Sequence, residues 1–106
     1  MQNKIVGALG VSIDPREKIR HKGHVFGMYV VPEHAGQGIG RALVESCIAK
    51  ARNLPGLEQL DLTVTESNAR AKSLYGKAGF RAFGVAPKAI KVGDRYFDKC
   101  HMVLML

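Results

Sequence analysis

Apolar positions recur along this chain with two different periods, and each change of period marks a new element. Ile5 to Ile13 (IVGALGVSI) is an apolar run of strand length, and Asp14-Pro15-Arg16-Glu17-Lys18 behind it supplies turn chemistry. Val25 to Val31 (VFGMYVV) is rich in β-branched and aromatic residues and reads as a second strand. Pro32 stops it, because proline has no amide hydrogen for a ladder. After a glycine-rich loop, Gly36 to Gly40, the residues Ile39, Ala42, Leu43, Cys47 and Ala51 recur at three- and four-residue steps. That spacing predicts a helix reaching about Arg52, ended by Asn53-Leu54-Pro55-Gly56. Leu60, Leu62 and Val64 then alternate with Asp61 and Thr63, as in a strand with one face toward a core. Ser67 or Asn68 can cap a second helix, whose inner stripe is Ala71, Leu74, Tyr75 and Ala78. Gly79 suits the residue just past its end. Two more strands, Phe80–Lys91 and Tyr96–Leu106, join through Gly93-Asp94.

The resulting order, β-β-α-β-α-β-β, predicts an α/β fold in which helices pack on a mixed (α+β) sheet. The 106 residues fit one domain spanning 1–106, with a modest core. No repeat, low-complexity tract or linker interrupts it. The 46% apolar and 24% charged fractions are ordinary for a soluble globular protein. No apolar run approaches the roughly 20 residues that span a bilayer. Met1-Gln2-Asn3-Lys4-Ile5 is followed by no secretory h-region, so a cytoplasmic setting is expected. Cys47 and Cys100 lie inside patterned segments, far apart, and read as small buried apolar residues.

Charge narrows the choice of partner. The formal net charge of +7 suggests an anionic one: nucleic acid, a membrane surface or a polyphosphate cofactor. The basic residues are scattered, and the densest patch, Lys18, Arg20 and Lys22, has no aromatic stacking series beside it. A phosphate-bearing cofactor is therefore the sharper expectation, against a plain solvated surface as the blander one.

The segment Val30-Val31-Pro32-Glu33-His34-Ala35-Gly36-Gln37-Gly38-Ile39-Gly40-Arg41-Ala42-Leu43 says most about function. A strand runs into glycines, and the glycines open a helix. Glycine lets the backbone turn tightly and approach a ligand closely. The first helical amides have no internal partners and, with the helix dipole, form an anion site. Walker A is absent, for it needs Gly-x-x-x-x-Gly-Lys-Ser/Thr. The dinucleotide fingerprint Gly-x-Gly-x-x-Gly fails too, at Arg41 counted from Gly36 and at Leu43 counted from Gly38. Three glycines at alternate positions also exceed what a simple strand-to-helix turn requires.

Ala35-Gly36-Gln37-Gly38-Ile39-Gly40 resembles the pyrophosphate loop of the GNAT superfamily of N-acetyltransferases, Gln/Arg-x-x-Gly-x-Gly/Ala. The departure is at the first position, where Ala35 replaces Gln or Arg. A side-chain contact is lost there, although backbone amides do much of the phosphate binding in that family, and Gln37 or Arg41 are candidates to compensate. Asn68-Ala69-Arg70-Ala71-Lys72-Ser73-Leu74-Tyr75-Gly76-Lys77-Ala78-Gly79-Phe80 is similar to the family's Asn-x-x-Ala-x-x-Leu-Tyr-x-x-x-Gly-Phe. Taken alone, Tyr75 reads as a core residue on an amphipathic helix. Gly84, Tyr96, Asp98 and Met102 resemble, less specifically, a subgroup acting on amino acids, their analogues or protein N-termini.

The resemblance implies a function and a set of site residues. The function is transfer of an acetyl group from acetyl-coenzyme A to a primary amine: an amino acid, a small amine or a protein N-terminus. Main-chain groups of Met28 and Val30 are expected along the pantetheine arm, and Gly36, Gln37, Gly38, Ile39, Gly40 and Arg41 around the pyrophosphate. Asn68 and Tyr75 are expected along the pantetheine and thiol, with Tyr75 as general acid. Lys77 or Lys72 would reach the adenosine phosphate. His24 is the candidate base: it shares a strand face with Phe26, Met28 and Val30, arylalkylamine N-acetyltransferases carry a histidine at the matching place, and neutral imidazole accepts protons near pH 7. The competing reading of His24 is a histidine at a strand edge. Glu33 and His34 read as exposed loop residues and His101 as a packing residue. No His, Cys or Asp cluster has metal-site spacing, so no metal is expected. The match begins at the family's second strand, which leaves Ile5 to Ile13 at an open sheet edge that a homodimer would cover. Two other functions compete with the transferase: a non-catalytic module that binds or senses acyl-coenzyme A, and nucleic-acid binding, which rests on charge alone and has no recognition motif.

Overall fold

The computed structural model describes residues 7–30 and 38–106. The elements run β1 (Gly7–Ile13), β2 (Lys22–Val30), α1 (Ile39–Arg52), β3 (Gln59–Thr65), α2 (Ala69–Lys77), β4 (Arg81–Val92) and β5 (Arg95–Met105). This is the predicted order. Ile5 and Val6 of the expected first strand, and the start of the glycine loop through Gln37, lie outside the described residues.

The strands form one sheet in the order β1-β2-β3-β5-β4. β1 and β2 make an antiparallel hairpin whose turn is held by Asp14, which accepts the Arg16 amide at 2.9 Å and both sides of its guanidinium fork. β4 and β5 make a second hairpin, turned at Gly93-Asp94, where the positive φ of Gly93 (60°) suits a tight two-residue turn. Between these hairpins β2 and β3 pair in parallel, with α1 as the crossover that a parallel pair requires. β2 starts at Lys22, earlier than the expected Val25. The polar residues Lys22 and His24 join the ladder because they pair with Gln59 and Asp61 on the solvent side of the sheet.

Alternation along β3 sends Leu60, Leu62 and Val64 to one face, and register puts Leu104, Met102 and Cys100 beside them on β5. Val44, Ile48 and Ala51 of α1, Tyr75 of α2 and Phe80 close this core. The centre of the α1 stripe is offset from the predicted one: Ala42 is exposed and Val44 and Ile48 are buried, with Leu43 and Cys47 on the flank. The apolar arc of α1 is wider than a single stripe, and docking beside Val11 of β1 selects which part faces the sheet. Cys100 is buried, whereas Cys47 is only half-buried; neither forms a disulfide.

The opposite face carries Gln59, Asp61 and Thr63 of β3 with Met105, Val103 and His101 of β5, and no helix among the described residues covers it. No helix among them is long and apolar enough to cross a membrane.

Candidate active site

The parallel ladder between β2 and β3 is short. It pairs Lys22 with Gln59, Gly23 with Leu60 and His24 with Asp61, and then stops, although β2 continues to Val30 and β3 to Thr65. Beyond His24 the two strands part, and the gap is a slot of about 340 Å³ lined by Val25, Phe26, Leu62, Thr63, Val64, Thr65, Asn68, Ala71, Leu74 and Tyr75. Val25, Leu62 and Val64 belong to the helix-covered face and Thr63 to the open face, so the slot runs through the sheet. The stretch of β2 holding Met28 and Val30 is paired with β1 on its other edge, with Val30 opposite Gly7. Its edge toward β3 has no ladder partner among the described residues. A strand edge left in this state offers main-chain groups to an extended ligand.

At the base of this fork, His24 donates from Nδ1 to the Asp61 carboxylate at 2.7 Å. An ionised carboxylate only accepts, so Nδ1 carries the proton, and in the neutral ring it is Nε2 that has the lone pair. The imidazole is 48% exposed, so that lone pair is open to solvent or substrate. Asp61 is the residue that motif reasoning missed. Only the register of two strands 37 residues apart brings it to His24.

A second feature lies at the start of α1. Gly38 is the N-cap residue, in the left-handed region with φ 76°, a conformation that side-chain-bearing residues rarely adopt. Its carbonyl accepts from the Ala42 amide at 3.0 Å, and among the described residues no side chain caps the helix. The amides of Ile39, Gly40 and Arg41 therefore stand at the helix start without intrahelical partners, where the dipole also favours an anion. A Cβ built on Gly38 would meet no atom of the described residues within 4 Å. The first turn holds no acidic residue. Arg41 turns its Nε to Glu45 at 2.8 Å, so it is engaged along its own helix. Gly36 and Gln37 lie outside the described residues, as do Glu33, His34 and Ala35.

On the far wall, Asn68 caps α2 by accepting the Ala71 amide at 3.1 Å, and the same residue lines the slot. Tyr75 is 5% exposed, packs edge-on against Phe80 and also lines the slot. Burial pushes its hydroxyl above the ordinary tyrosine pKa, with a smaller push from Cys47, so at neutral pH it stays a proton donor. No hydrogen bond to that hydroxyl forms among the described residues. Lys72 is committed elsewhere: its ammonium donates to Glu66 at 2.6 Å, and this bond raises its pKa. Lys77 is exposed at the end of α2. Among the described residues no three His, Cys, Asp or Glu side chains gather as a metal site would require.

Residues 1–80 match the acetyltransferase (GNAT) family. The chain belongs to that family. It is 29% identical over 98 residues to the L-amino acid N-acetyltransferase of Escherichia coli, an alignment covering 92% of this chain and 60% of that one. It superposes on the GNAT-family acetyltransferase of Streptococcus pneumoniae with a TM-score of 0.93 and 28% identity, covering all of this chain and 62% of the other. It also superposes on a Salmonella typhimurium protein solved with its cofactor acetyl-CoA, with a TM-score of 0.89 and 25% identity over 98% of this chain and 60% of that one. The chain thus spans about three fifths of the length of each. The Ile39–Arg41 amides, without intrahelical partners, are of the kind that suits phosphate, and the slot lies beside an edge of β2 that has no ladder partner among the described residues.

Proposed function

We propose that this protein transfers the acetyl group of acetyl-coenzyme A to a primary amine. The observation that carries the reading is the slot between β2 and β3, which Asn68 and Tyr75 line and at whose base β2 and β3 hold the His24–Asp61 pair; the amides that open α1 are the separate feature that suits phosphate. The pyrophosphate lies on the loop of Gly36 to Arg41, the pantetheine runs along Met28 and Val30, and Asn68 flanks it. The His24 Nε2 takes one proton from the ammonium, and Asp61 holds the ring in the required tautomer. The amine nitrogen then bonds to the thioester carbon, the carbon–sulfur bond breaks, and Tyr75 gives the departing sulfur its proton. The second amine proton is lost as the amide forms. Of the two protons released, one restores Tyr75 and the other leaves to solvent. Positioning of amine and thioester supplies much of the rate.

Two finer points go with this reading. β1 lies at the sheet edge with Ile13 43% exposed, which supports a homodimer that pairs or covers that edge. Free cysteines go with a reducing, cytoplasmic setting.

A thermal-shift titration tests the reading. Acetyl-coenzyme A at 100 times its dissociation constant stabilises a native protein by about 2.7 kcal/mol. Gly38→Asp, which sets a negative charge where phosphate is placed, should abolish most of that shift. No shift at millimolar cofactor rejects the reading. A normal shift without thiol release on any amine favours the acyl-coenzyme A-binding module.

A further inference from the structure

The open face of the sheet carries a second cavity, of about 410 Å³, lined by Lys22, Gln59, Asp61, Phe83, His101, Val103 and Met105. It abuts the slot. Asp61 belongs to this cavity and Thr63 to the slot, and two residues along one strand face are about 6.6 Å apart. An amine held at Asp61 therefore lies within reach of a thioester end emerging beside Thr63, and His24 is already bonded to that carboxylate.

Lys22 supplies the opposite charge. It forms no ion pair among the described residues, and its partner across the ladder is the uncharged Gln59. Lys22 and Asp61 stand diagonally across the β2–β3 ladder, roughly 8 Å apart at their Cα atoms by strand spacing. With side chains of that length, the gap suits one ammonium and one carboxylate borne on the same carbon. The remaining wall is apolar. Phe83 is 63% exposed, Met105 57% exposed, and the Phe83 ring leans on His101 at 5.9 Å between centroids.

We propose that this cavity is the acceptor subsite and takes a free α-amino acid with an apolar side chain. The ammonium pairs with Asp61 beside His24, the carboxylate with Lys22, and the side chain lies on Phe83, Val103 and Met105. A simple amine or a peptide N-terminus lacks the carboxylate that Lys22 meets, and a polyamine brings a second cation against it. The proposal rests on the transferase reading above, whose chemistry it completes at the amine end.

Two measurements on the purified chain test it. The first compares L-leucine and L-leucinamide as acceptors with saturating acetyl-coenzyme A. Leucine should be preferred in kcat/KM, and Lys22→Met should cut that preference about 10- to 100-fold, the range of a hydrogen bond to a charged group. Lys22 is exposed, so its replacement leaves the core alone. The second follows binding of N-acetyl-L-leucine by NMR titration without any cofactor. Shifts should centre on the open face and weaken in Lys22→Met. Equal use of the acid and the amide, or N-acetyl-leucine binding indifferent to Lys22→Met, overturns the subsite while leaving the transferase reading intact. Lys22-dependent binding without transfer to any amine supports the subsite and overturns the transferase.

Discussion

The two faces of the sheet are built from the same strands and have opposite tasks. On one, Leu60, Leu62 and Val64 meet Leu104, Met102 and Cys100 across the β3–β5 ladder, and two helices seal them from water. On the other, one residue further along each strand, Asp61, Thr63, His101 and Met105 stay within reach of solvent. The dry face supplies the stability, and the wet face carries the charged side chains and a cavity. A period of two thus separates the folding surface from the candidate chemical one within a single sheet. The exception that bears on chemistry is Tyr75, which, like Val25, Leu62 and Val64, belongs to the dry face by burial and to the slot by position.

That exception carries the largest expected effect. Tyr75→Phe keeps the ring and its edge-on packing with Phe80 and removes only the hydroxyl. Turnover should drop by about 10²–10⁴-fold, the usual worth of a general acid, with a smaller change in KM for acetyl-coenzyme A. Steady-state thiol release measures it, and unaltered turnover would return Tyr75 wholly to the core.

The division itself is tested by a matched pair. Leu60→Ala on the dry face, at a fully buried side chain, should cost about 2–5 kcal/mol in urea unfolding. Met105→Ala on the wet face, where the side chain is 57% exposed, should stay within about 0.5 kcal/mol. Similar losses at the two sites would mean that the open face is covered in solution.

The smallest effect concerns pH. Tyr75 and Cys100 are pushed up mainly by burial, and Lys72 mainly by its bond to Glu66. In all three the folded state holds its proton more tightly than the unfolded chain. The stability they lend is complete below the ordinary values of about 9–10.5 and declines as pH rises through and beyond them. A urea-midpoint series from pH 7 to 11 should show a loss confined to the alkaline end. A midpoint that rose there would reverse the sign assigned to these groups.

Much of this was legible in the sequence because it is local. The alternation of Leu60, Leu62 and Val64 is a strand wherever it occurs, and Asn68 announces a helix start by its own side chain. The glycines before α1 likewise carry their conformational meaning with them. Non-local facts were not legible. Whether Ala42 or Val44 faces the sheet depends on how α1 docks, and the partnership of His24 with Asp61 depends on a register fixed by packing. The Lys22 ammonium reads as one charge among many until Gln59 and Asp61 are set beside it.

The three-rung ladder between β2 and β3 also governs how the molecule assembles and breathes. Each flanking hairpin closes on itself over a short loop and can form early. The parallel seam closes only after the chain has wound through α1, at the higher entropic cost of a long loop. With three paired positions against six to eight in the other ladders, it is the shortest join in the described sheet and the one expected to open most readily. The cleft proposed for the coenzyme lies along that same seam, so local opening there would give a ligand a route in and out.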